Sequence, residues 1–416
     1  MKLAHLKEYV DEIEATPLDA LMGLTSAPVR AALDKSLSHR ELTRDDGLAL
    51  YAAEGDDLRA LIKCADLARS QACGDDVTYV VNRNINFTNV CFVGCQFCGF
   101  KRQRWEDDAY DHPLETILKK AEDAIARGAT ELCIQGGINP AMSTFYYRDL
   151  LVGIKARFPE LHLHAFSPME IMYGARRARM KYGEYIGILK EAGVGSFPGT
   201  AAEILDDQVR EVLSHKKVSV ADWVDIITTA HSLGVPTTAT VMYGHLEQPH
   251  HVINHLDLIR DIQKRTGGFT EFVPLRFVPY QTALYRRGLV SLIPRGYYDL
   301  RIYALSRLYL GDAITNLQTS WVKLGLELAA LTLKAGCNDF SGTLMEESIT
   351  AKAGGAEGEF ISVDQIEECA RQMGRVAVER TTLYKKLYGK RAPNGARPIG
   401  AEERQDSCTG GWRRCG

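Results

Sequence analysis

The 416-residue chain predicts an α/β fold, a (β/α)8-type TIM barrel preceded by a helical extension. Three observations lead there. From about residue 77, short strand-like runs alternate with amphipathic helical stretches, the pattern of parallel strands joined by helical crossovers. Four of those stretches end in a glycine placed just before the next strand: Gly128, Gly193, Gly234 and Gly336. Glycine there accepts the left-handed conformation that ends a helix. The length exceeds the usual ~100–200 residues of a domain, but an α/β barrel often reaches roughly 250 or more as one unit.

Taken in order, residues 1–76 form the extension. Leu58, Leu61, Ile62, Ala65 and Ala68 recur at helical spacing, and Gly74-Asp75-Asp76 punctuates the end. The barrel, with C-terminal helices, is expected over 77–390. Its eight candidate strands are 77–88, 131–137, 162–167, 195–198, 237–243, 271–277, 316–321 and 338–342. Between them run buried stripes such as Val220, Trp223, Ile226, Ile227 and Ala230, then Val252, Ile253, Leu256 and Ile259, and later Leu324, Leu328 and Leu331. A partial barrel with extra elements is the alternative arrangement. Residues 354–358 read as a glycine-rich loop and 363–373 as a helix outside the barrel. The stretch 391–416 is rich in Pro, Gly and Arg and reads as a disordered tail, with Cys408 and Cys415 incidental in it.

Composition narrows the function classes. The chain is 45% hydrophobic and 25% charged, with net charge −3 and pI about 6.4. That balance points to neither a nucleic-acid nor a membrane partner. Residues 1–15 are charged and amphipathic, without the apolar stretch of a signal peptide. No run approaches the ~18–20 apolar residues of a membrane span. A cytoplasmic enzyme is expected. In that reducing compartment, clustered cysteines are metal ligands or catalytic groups more often than disulfides.

Of ten cysteines, three fall within eight residues, in Cys91-Phe92-Val93-Gly94-Cys95-Gln96-Phe97-Cys98. The spacing is C-x3-C-x2-C, with an aromatic residue before the third. Thiolates are the usual ligands of iron–sulfur clusters. Three on one loop hold three irons of a [4Fe–4S] cube and leave the fourth without a protein ligand. The loop follows the first strand, where barrels keep their active sites. A structural zinc site is the plainer reading. Zinc wants a fourth ligand, yet no second C-x2-C knuckle exists, and His112, the nearest downstream histidine, shows no ligand spacing.

C-x3-C-x-aromatic-C resembles the signature of the radical S-adenosylmethionine (SAM) superfamily. The preceding Asn82-Arg83-Asn84-Ile85-Asn86-Phe87-Thr88-Asn89 resembles its deazaflavin and menaquinone biosynthetic subgroup. Within it the chain is most similar to the FO synthase subunit 2 family. That likeness rests on Gln135-Gly136-Gly137-Ile138-Asn139-Pro140, His162-Leu163-His164-Ala165-Phe166-Ser167-Pro168-Met169-Glu170 and Pro198-Gly199-Thr200-Ala201-Ala202-Glu203. It continues in Gly267-Gly268-Phe269-Thr270-Glu271-Phe272, Gly342-Thr343-Leu344-Met345-Glu346-Glu347-Ser348-Ile349 and Glu379-Arg380-Thr381-Thr382-Leu383-Tyr384. The similarity covers about residues 45–388.

The resemblance implies a radical SAM barrel and one reaction. SAM chelates the open iron, and an electron from the cluster cleaves it to a 5′-deoxyadenosyl radical. That radical takes hydrogen from the amino group of L-tyrosine. The side chain leaves as a 4-hydroxybenzyl radical, which adds to 5-amino-6-(D-ribitylamino)uracil, while 2-iminoacetate remains. A second protein, FO synthase subunit 1, closes the product to the 8-hydroxy-5-deazaflavin chromophore. An electron donor is also required. With one C-x3-C-x2-C, the chain is expected to be the stand-alone second half.

The resemblance also marks SAM contacts: Gln135, Gly136 and Gly137 after the second strand, Glu170 after the third, and Tyr243 and Gly244 after the fifth. Each has a plainer reading. The glycines suit a strand-to-helix turn. Ser167 and Glu170, with Pro168 between, match a helix capping box. Tyr243 suits barrel packing. Asn84, His164 and Glu271 are candidate substrate contacts. Asn82, Asn84 and Asn86 share one strand face, as do His162 and His164. Cys64, Cys73, Cys133, Cys337 and Cys369 read as small buried hydrophobes. The basic runs at 101–104 and 176–179 read as solvated faces. Rival functions are aminofutalosine synthase, dehypoxanthine futalosine cyclase and, from another class, a zinc- or cluster-binding scaffold without catalysis.

Overall fold

The computed structural model describes residues 3–388; the tail expected over 391–416 lies outside them. Five helices open the chain: α1 (Leu3–Ala15), α2 (Leu18–Leu24), α3 (Ala27–Leu37), α4 (Arg44–Tyr51) and α5 (Gly55–Cys73). The stripe read from the sequence is the buried face of α5, with Leu58, Leu61, Ile62 and Ala65 in the core. Helix α4 starts on a capping box between Thr43 and Asp46, and the Lys35 ammonium bonds Asp46 at 2.7 Å.

The strands and helices then alternate as β1 (Asp76–Val80), β2 (Asn82–Ile85), α6 (Leu114–Ala126), β3 (Glu131–Ile134), α7 (Tyr146–Arg157) and β4 (His162–Ala165). There follow α8 (Pro168–Ala178), α9 (Tyr182–Glu191), α10 (Asp207–Ser214), α11 (Val220–Ser232), β5 (Thr237–Tyr243), α12 (Pro249–Thr266) and β6 (Phe269–Arg276). The last third holds α13 (Ala283–Arg286), α14 (Tyr297–Leu310), α15 (Trp321–Leu324), α16 (Leu326–Thr332), β7 (Asp339–Gly342), α17 (Ser348–Lys352), α18 (Val363–Gln372), β8 (Val376–Arg380) and β9 (Lys386–Leu387). Gly128, Gly193, Gly234 and Gly336 all have positive φ, between 72° and 101°, at the helix ends where the sequence placed them.

Pairing is parallel from β2 to β3 to β4 and from β5 to β6, and β1 lies parallel to β7. Single parallel bridges link these groups: His164 to Ser196, Phe197 to Thr237, Phe272 to Leu317 and Gln318 to Asp339. The expected strands at 195–198 and 316–321 are reduced to those bridge residues. The second ends early because Trp321 already begins α15. The expected first strand is interrupted at Val81, where β1 gives way to β2.

Helix α5 packs on α14, and α4 on α12 and α14, so the N-terminal helices share one core with the strands. One element is missing from the sequence reading. Strand β8 runs parallel to β1, Thr78 beside Val378, and turns back antiparallel into β9. Its last residue, Arg380, is buried. Among the described residues no helix is long and apolar enough to cross a membrane.

Candidate active site

The carboxyl ends of the parallel strands open into a cavity of about 370 Å³. Cys91, Cys95 and Cys98 stand in its wall. Backbone bonds to distant parts of the chain hold their loop: Cys91 N–H donates to Arg102 O at 3.1 Å, Phe92 N–H to Ile138 O at 3.2 Å, and Gln96 N–H to Leu213 O at 2.8 Å. Asn89 braces it further, donating to Asp108 O at 2.7 Å and accepting from Tyr110 N–H at 2.8 Å. Two glycines admit close backbone contact. A Cβ on Gly137 would lie 2.2 Å from Val90 O, and one on Gly99 2.4 Å from Lys352 O. The Gly-Gly turn after β3 is thus the shelf on which the cysteine loop rests.

The basic run at 101–104 is a solvated face only at Arg104, which is exposed, while Lys101 and Arg102 turn to the loop. Lys101 lines the cavity. The Arg102 guanidinium donates to Asp108 at 2.6 Å and to the carbonyls of Gly99 and Lys101. It braces the loop through the backbone of the cysteine segment itself.

The residues fit an iron–sulfur cluster. Three soft ligands share one loop and one cavity wall. Burial pushes the Cys95 thiol up to about 12, and raises Cys98 too, with the Lys217 ammonium opposing it in both. Such thiols become thiolates when a cationic cluster takes their protons' place. Lys217 itself bonds Glu203 and lies 5.1 Å from the centre of the Phe97 ring.

Gln135, Gly136, Gly137 and Glu170 are on the same wall, and so is Asn84. Glu170 serves the capping box read from the sequence: its Oε2 accepts from Ser167 N–H and Oγ–H, both at 2.7 Å. Its Oε1 accepts from Gly136 N–H at 3.0 Å. One carboxylate therefore ties the start of α8 to the Gly-Gly turn, and burial pushes it up to about 7. Gln135 accepts from Thr200 Oγ–H at 2.9 Å.

Four candidate residues stand outside the cavity wall. Strand alternation explains Tyr243: Thr240 and Met242 face the cavity, so Tyr243 points away. Its hydroxyl donates to Asp299 at 2.8 Å among the helices. Gly244 lies beyond, where the chain turns with φ +86°. Glu271 and His164 sit one layer down. Glu271 shares a face with cavity-lining Val273 but is two residues earlier in β6. His162 and His164 both bond Ser196 Oγ, at 2.8 and 2.7 Å. Asn82 and Asn86 are likewise occupied, by Glu131 and by Gln135 O.

This lower layer is a closed charge network. Arg380 donates to Asp339 at 2.5 and 3.1 Å and to Glu271 at 3.3 Å. Tyr384 O–H donates to Glu271, Thr78 to Asp339 at 2.6 Å, and Thr382 to Glu131 at 2.7 Å. The 379–384 motif thereby plugs the strands from below. Gln318 joins the layers, lining the cavity while donating to Glu271 at 3.2 Å and Asp339 at 3.1 Å.

Sequence reasoning missed Lys217 and Lys323, both in the cavity wall. No periodicity or motif marks either. The one signal for Lys323 is its place in the apolar run Trp321-Val322-Lys323-Leu324, while Lys217 follows His215 and Lys216 between two helices and carries none.

Comparison with known proteins agrees with this geometry. Residues 85–259 match the model of the radical SAM superfamily, and 266–391 that of the CofH/MqnC C-terminal region. The fold is that of methylornithine synthase (PylB), TM-score 0.65 at 18% identity over 83% of this chain and 97% of that one. The hydrogenase maturase HydG gives 0.66 at 14% identity over 92% and 80%. The fold and cysteine loop are therefore those of a radical SAM α/β enzyme.

The 5-amino-6-(D-ribitylamino)uracil–L-tyrosine 4-hydroxyphenyl transferase of Methanothermobacter thermautotrophicus is 48% identical over 83% of this chain and 94% of its own length. That of Methanocaldococcus jannaschii is 44% identical over 84% and 98%. The chain belongs to this transferase family. It is also 47% identical to the FO synthase of Streptomyces coelicolor over 86% of its length, but spans only 41% of that protein.

Proposed function

We propose that this chain joins the 4-hydroxybenzyl group of L-tyrosine to 5-amino-6-(D-ribitylamino)uracil, with 2-iminoacetate, 5′-deoxyadenosine and methionine as the other products. The observation that carries the reading is the three-cysteine loop opening into a cavity at the carboxyl ends of parallel strands. The names of the two full-length relatives supply the substrates. The strands are read as a closed (β/α)8 barrel. The run of parallel pairs and bridges from β2 round to β7 and β1 supports that closure.

Cys91, Cys95 and Cys98 would hold a [4Fe–4S] cluster, which when bound supplies the electron that cleaves SAM. The chain's own residues do the positioning. Gly136 and Gly137 bring bare backbone to the cluster side of the cavity. Glu170 fixes that turn from behind. Asn84 lines the wall and, among the described residues, makes no side-chain hydrogen bond, so its amide can meet substrate. Gln318 and the network beneath give the cavity a rigid polar base. Phe277, just past β6, and Thr350 of α17 border the site and limit the access of solvent to a reactive radical. The cytosol, a separate electron donor and a partner protein that closes the deazaflavin ring complete the reading.

The test is anaerobic reconstitution with iron and sulfide, then SAM, dithionite and both substrates, read by mass spectrometry. The hydroxybenzyl adduct together with 5′-deoxyadenosine is the expected result. Deoxyadenosine without adduct would redirect the assignment to the menaquinone precursors.

A further inference from the structure

Four cations line the cavity: Lys101, Lys217, Arg276 and Lys323. Two have their counter-charge. Lys217 bonds Glu203, and Arg276 bonds Asp299 at 2.5 Å. Lys101 belongs to the cysteine loop, its ammonium 3.7 Å from where a Cβ on Gly94 would lie, so its charge falls beside the cysteines. Lys323 is different. It stands on the wall contributed by α15, and its ammonium donates to Thr350 Oγ1 at 3.0 Å. Among the described residues no carboxylate lies within 4.0 Å of it. The nearest acid it senses, Glu347, is engaged at the start of α17, where it accepts from Thr350 N–H at 3.1 Å.

The lysine is also held in place. Trp321 Nε1–H donates to Gly342 O at 2.9 Å, pinning α15 to the end of β7. Gly325, at φ +79°, ends the helix two residues beyond Lys323. A part-buried ammonium with one hydroxyl partner and, among the described residues, no carboxylate in contact, Glu347 acting on it only from a distance, is under-matched in the empty protein. Such a group is matched when a ligand brings an anion.

We infer that Lys323 is the binding residue for the α-carboxylate of the amino-acid substrate. The inference rests on the proposed function for the identity of that substrate and extends it by naming the recognition contact. It places the carboxylate end of tyrosine at α15, beside Thr350 of α17. Lys323 thus selects amino acids over amines of the same side chain.

The test uses holoenzyme with cluster and SAM but no reductant, so nothing turns over. Equilibrium dialysis measures binding of L-tyrosine, of tyramine (no carboxylate) and of 3-(4-hydroxyphenyl)propionate (no amino group). Wild type is expected to hold tyrosine and the propionate at least ~30-fold tighter than tyramine. Lys323→Met should weaken both acids by about 100-fold and leave tyramine within ~3-fold. Lys323→Arg should restore most of the acid binding. Should the Met protein fail to load its cluster, Lys323→Gln carries the same comparison. The inference is overturned if the variant still prefers the acids, or if all three ligands weaken together. If loaded wild type binds none of the three, the substrate reading itself fails and this contact with it. Binding by wild type with unchanged preference in the variant removes only the contact.

Discussion

The cavity wall and the layer beneath it are built from the same kinds of residue, yet they differ in one respect. Below, each named charge has hydrogen-bond partners: Arg380 meets Asp339 and Glu271, and Glu131 receives Asn82 and Thr382. Above, the wall keeps three thiols, an ammonium on Lys323 and the amide of Asn84 available. Buried polarity alone therefore does not mark a functional site. Saturation marks structure, and unfilled valence marks the place where a ligand completes the set.

The sharpest way to break this contrast is to cut one group from each layer. Cys95→Ala removes a ligand from the upper layer. It should abolish cluster loading and lower 5′-deoxyadenosine formation by at least ~10³-fold, while the helical circular dichroism stays unchanged. Iron content and EPR of the reduced protein check it. Arg380→Met removes the hub of the lower layer and strands two buried carboxylates. It should cost roughly 3–5 kcal/mol, read as an earlier midpoint in anaerobic denaturation. Full stability in Arg380→Met would show that the lower layer is not a structural network.

Titration sharpens the comparison next, because the two layers respond to pH with opposite sign. Burial lowers His164 from 6.5 to about 4. The unfolded chain then binds more protons between those values, so this group makes stability fall as pH drops through 6.5 toward 4. Burial raises Glu170 from 4.5 to about 7. Here the folded protein binds more protons, so this group makes stability fall as pH rises from 4.5 to 7. Each contributes a slope of up to about 1.4 kcal/mol per pH unit. Relative to wild type, His164→Asn should tilt the stability profile between pH 4.5 and 6.5 toward the acid side, and Glu170→Gln toward the alkaline side. Parallel profiles for all three proteins would refute the assignment of these groups.

Much of this was legible beforehand, and the reasons are local. Helix stripes and their terminal glycines are written in adjacent residues, so α5, α11, α12 and the four helix–glycine–strand junctions could be placed. The cysteine loop is a contiguous motif. The Ser167–Glu170 cap spans four residues and was equally readable. What escaped depends on distant segments meeting. Nothing near Val376–Arg380 says that it will lie beside β1. Tyr243 was placed at the rim because its strand ends there, but one step of strand alternation sends it to Asp299 instead. The sequence offers Glu271 and His164 as candidate substrate contacts but does not say which strand face is inward. Depth along the strand decides their role, and depth follows from register between strands. Lys323 sits next to a stripe of leucines, and only the assembled wall shows that no carboxylate among the described residues contacts its ammonium.

The smallest expected effect is the one in which the two layers should disagree in sign. Arg380 is a buried cation and Lys323 a part-buried one, and desolvation lowers the proton affinity of Lys323. Arg380 offsets its desolvation through contacts with Asp339 and Glu271, whereas Lys323 contacts the Thr350 hydroxyl and feels Glu347 only at a distance. Replacing an unmatched buried charge with a well-packed apolar side chain of similar length is neutral or stabilising, by about 1 kcal/mol here. Lys323→Met should therefore raise the denaturation midpoint of the substrate-free holoenzyme slightly, at equal cluster content, while Arg380→Met lowers it. Added L-tyrosine should reverse the ranking for Lys323, since only the wild type gains the carboxylate contact. A substrate-free Lys323→Met protein that is less stable than wild type would mean the ammonium is already satisfied. The distinction between a filled lower layer and an open upper one would then have to be drawn without it.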